Sequence, residues 1–274
     1  MAVIDLTQYA GEDKIISSLE MWEEIRTMNK GRDLVTYNSG IPTLDNLLRG
    51  LAPGELITIS GITKHGKTTL ARSITVNLEK QGVFCLWFTY ELPPEQFLST
   101  FRAVPFLYLP RRLKSADMDW IESRIIEGLQ KYHTKAIFID HLHYLFDIAK
   151  SKNVSLDIGS VVRRLKLIAV QEGVVIFLMA HTVKPKMDGG EMGFEGIRDS
   201  SIVSQESDVV LMVRRRPDVS DTAAEASVEF SRRSGAMKKK VYLCLHDDLL
   251  RESAVEYAPP KQEKQQKARK YWED

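Results

Sequence analysis

The sequence predicts an α/β domain: a mainly parallel central sheet flanked by helices, preceded by a short amphipathic helix. Three observations carry this. From about Leu34 onward, short and almost continuously apolar runs alternate with helical patterns, as strands buried on both faces of a parallel sheet do. A glycine-rich stretch, Gly61–Thr68, joins the first apolar run to a helical one. The 274 residues are 43% hydrophobic, which suffices for one substantial core.

The elements follow in order. Ile15, Leu19, Trp22 and Ile25 recur at helical spacing within Lys14–Asn29, giving one amphipathic helix that ends near Gly31. It lies outside the main unit, so it docks on the core or on a neighbour. Leu56–Ser60 is a β run, and the helix beyond the glycine-rich loop covers about Thr69 to Lys80. Val83–Thr89 is the second β run. Ser115 is the candidate N-cap of a helix reaching Lys131, with Asp117 and Asp119 in its first turn. Ala136–Ile139 is a third strand ending at Asp140. Leu156–Glu172 is helical through Val161, Leu165, Ile168 and Ala169, and Val174–Met179 is a fourth strand. Val209–Val213, Val228–Ser231 and Val241–His246 extend the sheet at one edge. Lys184–Phe194 is rich in Gly, Lys and Asp, and Lys261–Asp274 is polar and follows Pro259-Pro260; both read as mobile. The expected division is 1–33 for the helical N-terminal segment, 34–258 for the core and 259–274 for a polar tail.

Composition excludes several classes. No apolar run approaches the roughly 18 residues that span a bilayer. The first residues lack the basic and apolar regions of a secretory signal. Cys85 and Cys244 sit in apolar runs without CxxC spacing, so they read as buried thiols in a reducing compartment. A net charge of +1 leaves nucleic-acid binding to local clusters.

Gly61-Ile62-Thr63-Lys64-His65-Gly66-Lys67-Thr68 matches G-x-x-x-x-G-K-[ST] in full, with Thr69 opening the helix behind it. Glycines let backbone N–H groups curl around phosphates, and the helix N-terminus adds a favourable dipole. Lys67 is placed for the β- and γ-phosphates and Thr68 for Mg²⁺, so the motif implies ATP or another nucleoside triphosphate with Mg²⁺. Asp140, at the end of an apolar strand, reads as the acid on the metal; the alternative is an ordinary strand-capping aspartate. Glu91 follows the strand Val83–Tyr90 and reads as the base that polarises water, against a helix-entry glutamate before Pro93-Pro94. His181, at the fourth strand's tip, either contacts the γ-phosphate or is structural.

From about Asn38 to His246 the chain resembles the RecA-like motor domain of the DnaB-family replicative helicases. The entry Ser39-Gly40-Ile41-Pro42-Thr43-Leu44-Asp45 with Gly50-Leu51 is shared with KaiC-like and RadA-like ATPases. Phe88-Thr89-Tyr90-Glu91-Leu92 with Glu95-Gln96-Phe97 resembles the family's "SLEM…EQ", whose glutamate is catalytic. Ile139-Asp140-His141-Leu142-His143-Tyr144-Leu145 resembles "IDYLQLM", and Ala180-His181 the strand-end sensor. The most discriminating stretch is 197–210, IRDSSIVSQESDVV, which resembles "LRESGxIEQDADLI", a segment tied to the DNA channel. Ser231-Arg232-Arg233-Ser234-Gly235 resembles the "KxRxG" hairpin that completes a neighbour's site. Arg233 then aligns with the finger arginine, Arg232 lies beside it, and Ser231 stands where the lysine is expected. Their other reading is a solvated strand end or a phosphate contact.

The resemblance implies a RecA-like P-loop fold and a homo-oligomer, a hexameric ring with ATP and Mg²⁺ at subunit interfaces. It implies translocation on single-stranded DNA, duplex unwinding in replication, and a primase, loader or polymerase partner. The expected place is intracellular, cytoplasmic or nucleoid-associated in a phage or bacterial host, with an organelle matrix as the alternative, and no membrane is involved. In such rings a linker helix packs on the adjacent subunit, a role that Lys14–Asn29 matches in position. Candidate DNA contacts are Lys184, Lys186 and Arg198 after the fourth strand, Lys150 and Lys152 after the third, and Gln205. Arg214-Arg215-Arg216 and Lys238-Lys239-Lys240 serve an interface, DNA or solubility. The segment between Glu91 and Asp140 is shorter than in bacterial DnaB proteins, and residues 1–33 leave no room for a primase or collar domain. The alternative function is a RecA-like ATPase whose nucleotide acts as a switch in loading, recombination or signalling.

Overall fold

A computed structural model describes residues 10–11, 14–28, 35–146, 153–181 and 200–257. Two compact units are present, 1–35 and 36–274.

The first unit contributes helix α1, Ser18–Met28. Ser17 and Glu20 cap it reciprocally: the Glu20 amide donates to Ser17 Oγ at 3.2 Å, and the Ser17 amide donates to Glu20 Oε2 at 2.8 Å. This is a capping box, and it starts the helix four residues later than the apolar spacing suggests. α1 buries none of its residues and leaves Leu19 and Trp22 exposed.

In the second unit the elements run α2 (Pro42–Leu48), β1 (Leu56–Gly61), α3 (Lys67–Lys80), β2 (Cys85–Thr89), α4 (Pro94–Ser99), α5 (Met118–Tyr132) and β3 (Ala136–Asp140). After a single 3₁₀ turn at Leu142–Tyr144 come α6 (Val154–Glu172), β4 (Val175–His181), α7 (Ser200–Glu206), β5 (Val209–Arg215), β6 (Ala223–Ser231), β7 (Met237–His246) and β8 (Leu249–Glu252). The expected sheet is present. Its order is β2-β3-β4-β1-β5-β6-β7-β8; the first five strands are parallel and the last three antiparallel.

Every residue of β1 is buried, because both faces are covered. Ile57 and Ile59 pack on one side with Leu70, Ile74 and Leu78 of α3. Leu56 packs on the other side with Ile121 and Ile125 of α5 and Val162 and Leu165 of α6. Thr58 and Ser60 are the polar exceptions: the Thr58 hydroxyl pairs with Ser207 Oγ at 2.7 Å, and Ser60 Oγ donates to the Ala180 carbonyl at 3.1 Å.

Some boundaries differ from the expected ones. Asp117, not Ser115, caps α5, since its side chain accepts the Trp120 amide. Val83 precedes β2 because its amide closes the end of α3 on the Leu78 carbonyl at 3.0 Å. Cys85 is buried, but Cys244 is only half-buried, being in the β7–β8 edge hairpin. That hairpin turns on Asp247 and Asp248, both at positive φ (51° and 62°), a two-residue turn of the kind that fits strand twist.

Candidate functional site

β1, β2, β3 and β4 point their C-terminal ends at one edge of the sheet, with β1 next to β4 and β3 next to β2. Gly61 ends β1 opposite His181, the last residue of β4, and Thr89 lies opposite Asp140. The register alone therefore gathers the loop, both acids and the histidine.

The loop leaves β1 at Gly61, where a Cβ would come within 2.4 Å of the Val213 carbonyl oxygen on β5. Only glycine lets β1 and β5 approach so closely there. Gly66, at φ 99°, starts α3 without any side-chain cap, so the first amides of a 14-residue helix are left for an anion. Lys67 is buried and folds back onto the loop, its Nζ donating to the carbonyls of Gly61 at 3.0 Å and Ile62 at 3.2 Å. Burial lowers its pKa, and the charges of Glu91 and Asp140 oppose that shift.

Thr68 donates its hydroxyl to Asp140 Oδ2 at 2.8 Å. The other carboxylate oxygen, Oδ1, is buried and has no hydrogen-bond partner among the described residues. Burial, followed by the charge of Glu91, pushes the Asp140 carboxyl up to about 6. A buried, orphaned carboxylate oxygen beside a threonine hydroxyl fits a hard cation such as Mg²⁺, which takes oxygen ligands.

Glu91 lies two residues past β2, its amide donating to the Asp140 carbonyl at 3.3 Å. Its Oε1 stands 3.1 Å from His141 Nε2 and 3.1 Å from His181 Nε2. Those contacts, that of His141 first, hold the carboxyl well below the ordinary carboxylate range. Glu91 is therefore a carboxylate, and one already engaged.

A cavity of about 420 Å³ lies over the loop, lined by Thr63 to Thr69, Glu91 and His181. Its far wall, Arg215, Thr222, Ala224, Leu245 and Leu250, comes from β5 to β8 and was not among the expected site residues. The edge hairpin is held to α3 by the Leu250 amide donating to Ser73 Oγ at 2.8 Å.

Of the remaining expected residues, Arg233 is elsewhere. Its guanidinium donates to Glu55 Oε1 at 2.7 Å and to the carbonyls of Arg49 (3.1 Å) and Gly50 (2.6 Å). Glu55 precedes β1, so Arg233 is at the opposite end of the strands from its own loop. Arg232 is exposed and donates to the Gln205 carbonyl; the Gln205 side chain is also exposed. Lys150, Lys152, Lys184, Lys186 and Arg198 lie outside the described residues. His141 is a site residue that local spacing does not single out; its contact with Glu91 depends on the pairing of strands distant in sequence.

A family model described as "AAA domain" matches residues 26–187. A probable plasmid replicative DNA helicase of Chlamydia psittaci is 22% identical over 256 residues, 80% of this chain and 55% of that one. The replicative DNA helicase DnaB of Rickettsia prowazekii (strain Madrid E) is 21% identical over 234 residues, 69% of this chain and 48% of that one. The chain thus spans about half the length of these relatives. Among solved structures, the ATPase domain of G40P aligns with a TM-score of 0.71 at 16% identity, covering 88% of this chain and all of that one. A DnaB-like replicative helicase, solved in a study of its interactions with primase, aligns at 0.67 and 16% identity, over 89% of this chain and 69% of that one. These matches bear out the expected RecA-like fold and the resemblance to the DnaB-family motor domain. Among the described residues no helix is long and apolar enough to cross a membrane.

Proposed function

The chain belongs to the AAA-domain family whose model covers residues 26–187, and on that premise we propose that it is the ATP-hydrolysing motor of a DnaB-like ring helicase that moves on single-stranded DNA. The observation that carries the hydrolytic part is the Thr68–Asp140 pair under the loop, with an orphaned Asp140 oxygen and a deprotonated Glu91 at the neighbouring strand tip; the ring and the DNA rest on the likeness to replicative helicases.

The roles follow from the geometry. Lys67 exchanges the carbonyls of Gly61 and Ile62 for the β- and γ-phosphate oxygens of ATP. The loop residues Gly61 to Thr68, Thr69 and the uncapped start of α3 cradle the same phosphates. Thr68 and Asp140 are the residues that would hold Mg²⁺, which when bound neutralises charge developing on the phosphoryl oxygens. Glu91 leaves its histidine contacts to orient the attacking water and accept its proton. His181, beside Gly61 in register, contacts the γ-phosphate and reports its loss. Arg233 cannot serve its own loop from the opposite end of the strands; acting in a neighbouring subunit's site would require it to leave Glu55 and the Arg49 and Gly50 carbonyls, whereas Arg232 beside it is exposed. A trans arginine of this kind stabilises the transferred phosphoryl group, typically by about 10³-fold or more. Lys150, Lys152, Lys184, Lys186, Arg198 and Gln205 are the proposed contacts to single-stranded DNA, and a primase or loader is the expected partner class.

The test combines mass photometry, in the presence of ATP and an oligonucleotide, with a forked-duplex unwinding assay. A hexamer-sized particle that unwinds DNA, and that fails to do so as Lys67→Ala, supports the proposal. A chain that hydrolyses ATP yet stays monomeric and never unwinds would instead support the nucleotide-switch reading.

A further inference from the structure

We propose that Glu91, His141 and His181 form a binding site for a divalent first-row transition-metal ion, separate from the Thr68–Asp140 pair.

The three donor atoms make a nearly equilateral triangle. Glu91 Oε1 is 3.1 Å from His141 Nε2 and 3.1 Å from His181 Nε2, and the two nitrogens are 3.0 Å apart. Metal–ligand bonds of about 2.1 Å place adjacent ligands about 3.0 Å apart on one face of an octahedron, and about 3.4 Å apart on a tetrahedron. The triangle has the size of the octahedral face. Its donors also come from three separate places: the segment after β2, the residue after β3 and the tip of β4. The sheet register therefore sets the spacing, and no single flexible loop does.

Hydrogen bonding alone does not serve this triangle. Each imidazole carries at most one Nε2 proton, and that proton points at one partner. Three contacts therefore share two protons at most. If both protons point at Glu91, the 3.0 Å contact sets donor against donor. A cation at the centre instead takes one lone pair from each atom.

The donor set also selects the ion. Two imidazoles and one carboxylate suit Zn²⁺, Fe²⁺, Co²⁺ or Ni²⁺, whereas Mg²⁺ and Ca²⁺ favour oxygen ligands. A histidine bound through Nε2 keeps its proton on Nδ1 and hands it to an outer partner. His141 Nδ1 accepts the His143 amide at 3.3 Å and also lies 3.3 Å from His143 Nδ1, so loading the ion would exchange the amide contact for one to that ring nitrogen, while His181 Nδ1 has no partner among the described residues. His141 is itself buried, so the ion would be shielded on that side.

Occupancy has a consequence for hydrolysis. Glu91 would lend Oε1 to the ion and be withheld from water, so the ion acts as a brake. This consequence, unlike the binding, rests on the reading of Glu91 as the base.

The test is titration of the chelator-treated full chain with Zn²⁺ by calorimetry and with Co²⁺ by visible absorption, both in millimolar Mg²⁺. One ion per chain is expected, undisplaced by Mg²⁺, with affinity falling at least about tenfold in His141→Ala and in Glu91→Gln. His141→Gln, closer in size and polarity, is the second variant should His141→Ala not fold, and far-ultraviolet circular dichroism checks both. No stoichiometric binding, or equal affinity in wild type and the folded variants, overturns the site. ATP hydrolysis in the same samples separates the two readings. Binding with inhibition supports both, and binding with undiminished hydrolysis keeps the metal site but removes Glu91 from water activation.

Discussion

Arg233 donates to Glu55 across 2.7 Å, tying the β6–β7 turn to the segment that enters β1. Glu55 is buried and also accepts the Ala52 amide at 2.8 Å, so this acid is built into the base of the sheet. Arg233→Ala would leave it uncompensated, at a cost of about 1–3 kcal/mol given the partial exposure of the arginine. Thermal denaturation should show that loss, while Arg232→Ala stays within about 0.5 kcal/mol of wild type. Hydrolysis by Arg233→Ala should fall only in the assembled form, and mixing it with Glu91→Gln protein tests action in trans. An unchanged melting temperature in Arg233→Ala would show that the Arg233–Glu55 pair does not stabilise the fold.

Asp140 makes stability depend on pH. Its folded-state value, about 6, lies above the ordinary 3.8, with burial as the chief cause. The neutral acid thus favours the fold: its contribution is complete below about pH 4 and is lost as pH rises through 6. Above that range the charged carboxylate costs on the order of 1–3 kcal/mol in the absence of a cation. In chelator-treated protein, Asp140→Asn should melt a few degrees higher than wild type near pH 8 and level with it near pH 4. It should also lose hydrolysis. A variant less stable at the higher pH would show that Asp140 is not an uncompensated buried charge.

Gly61 is constrained by a neighbour and not by the motif alone. In Gly61→Ala the new methyl would meet the Val213 carbonyl oxygen at 2.4 Å, forcing β1 and β5 apart. Destabilisation of about 1–3 kcal/mol is expected, together with weakened nucleotide binding. Gly173→Ala is the comparison, since nothing lies within 4 Å of its added Cβ and only the left-handed backbone, φ 59°, resists the change. Urea denaturation of both proteins, with a fluorescent nucleotide titration, checks this.

Local signals made much of this architecture legible. β1 through β4 read as strands because each is a short apolar run buried on both faces, and the glycine-rich loop announced α3. The short helices α2 and α4 were not read, since seven or six residues opening on proline give little periodicity. β8 was missed because its turn, Asp247-Asp248, lacks the glycine that usually marks such hairpins. Lys67, Thr68, Glu91, Asp140 and His181 were all legible as candidates, each standing at a strand end or in the loop. The cavity's far wall and the contact of His141 with Glu91 were not, because both follow from strands far apart in sequence that become neighbours only in the folded sheet.

In the proposed mechanism Glu91 activates water for a nucleotide held by the loop at Gly61–Thr68. Single-turnover ATP hydrolysis by Glu91→Gln, with nucleotide affinity measured on the same protein, tests it most directly. Affinity should stay within about twofold of wild type, with hydrolysis slowed by about 10²-fold or more. Hydrolysis at the wild-type rate with nucleotide bound would contradict it.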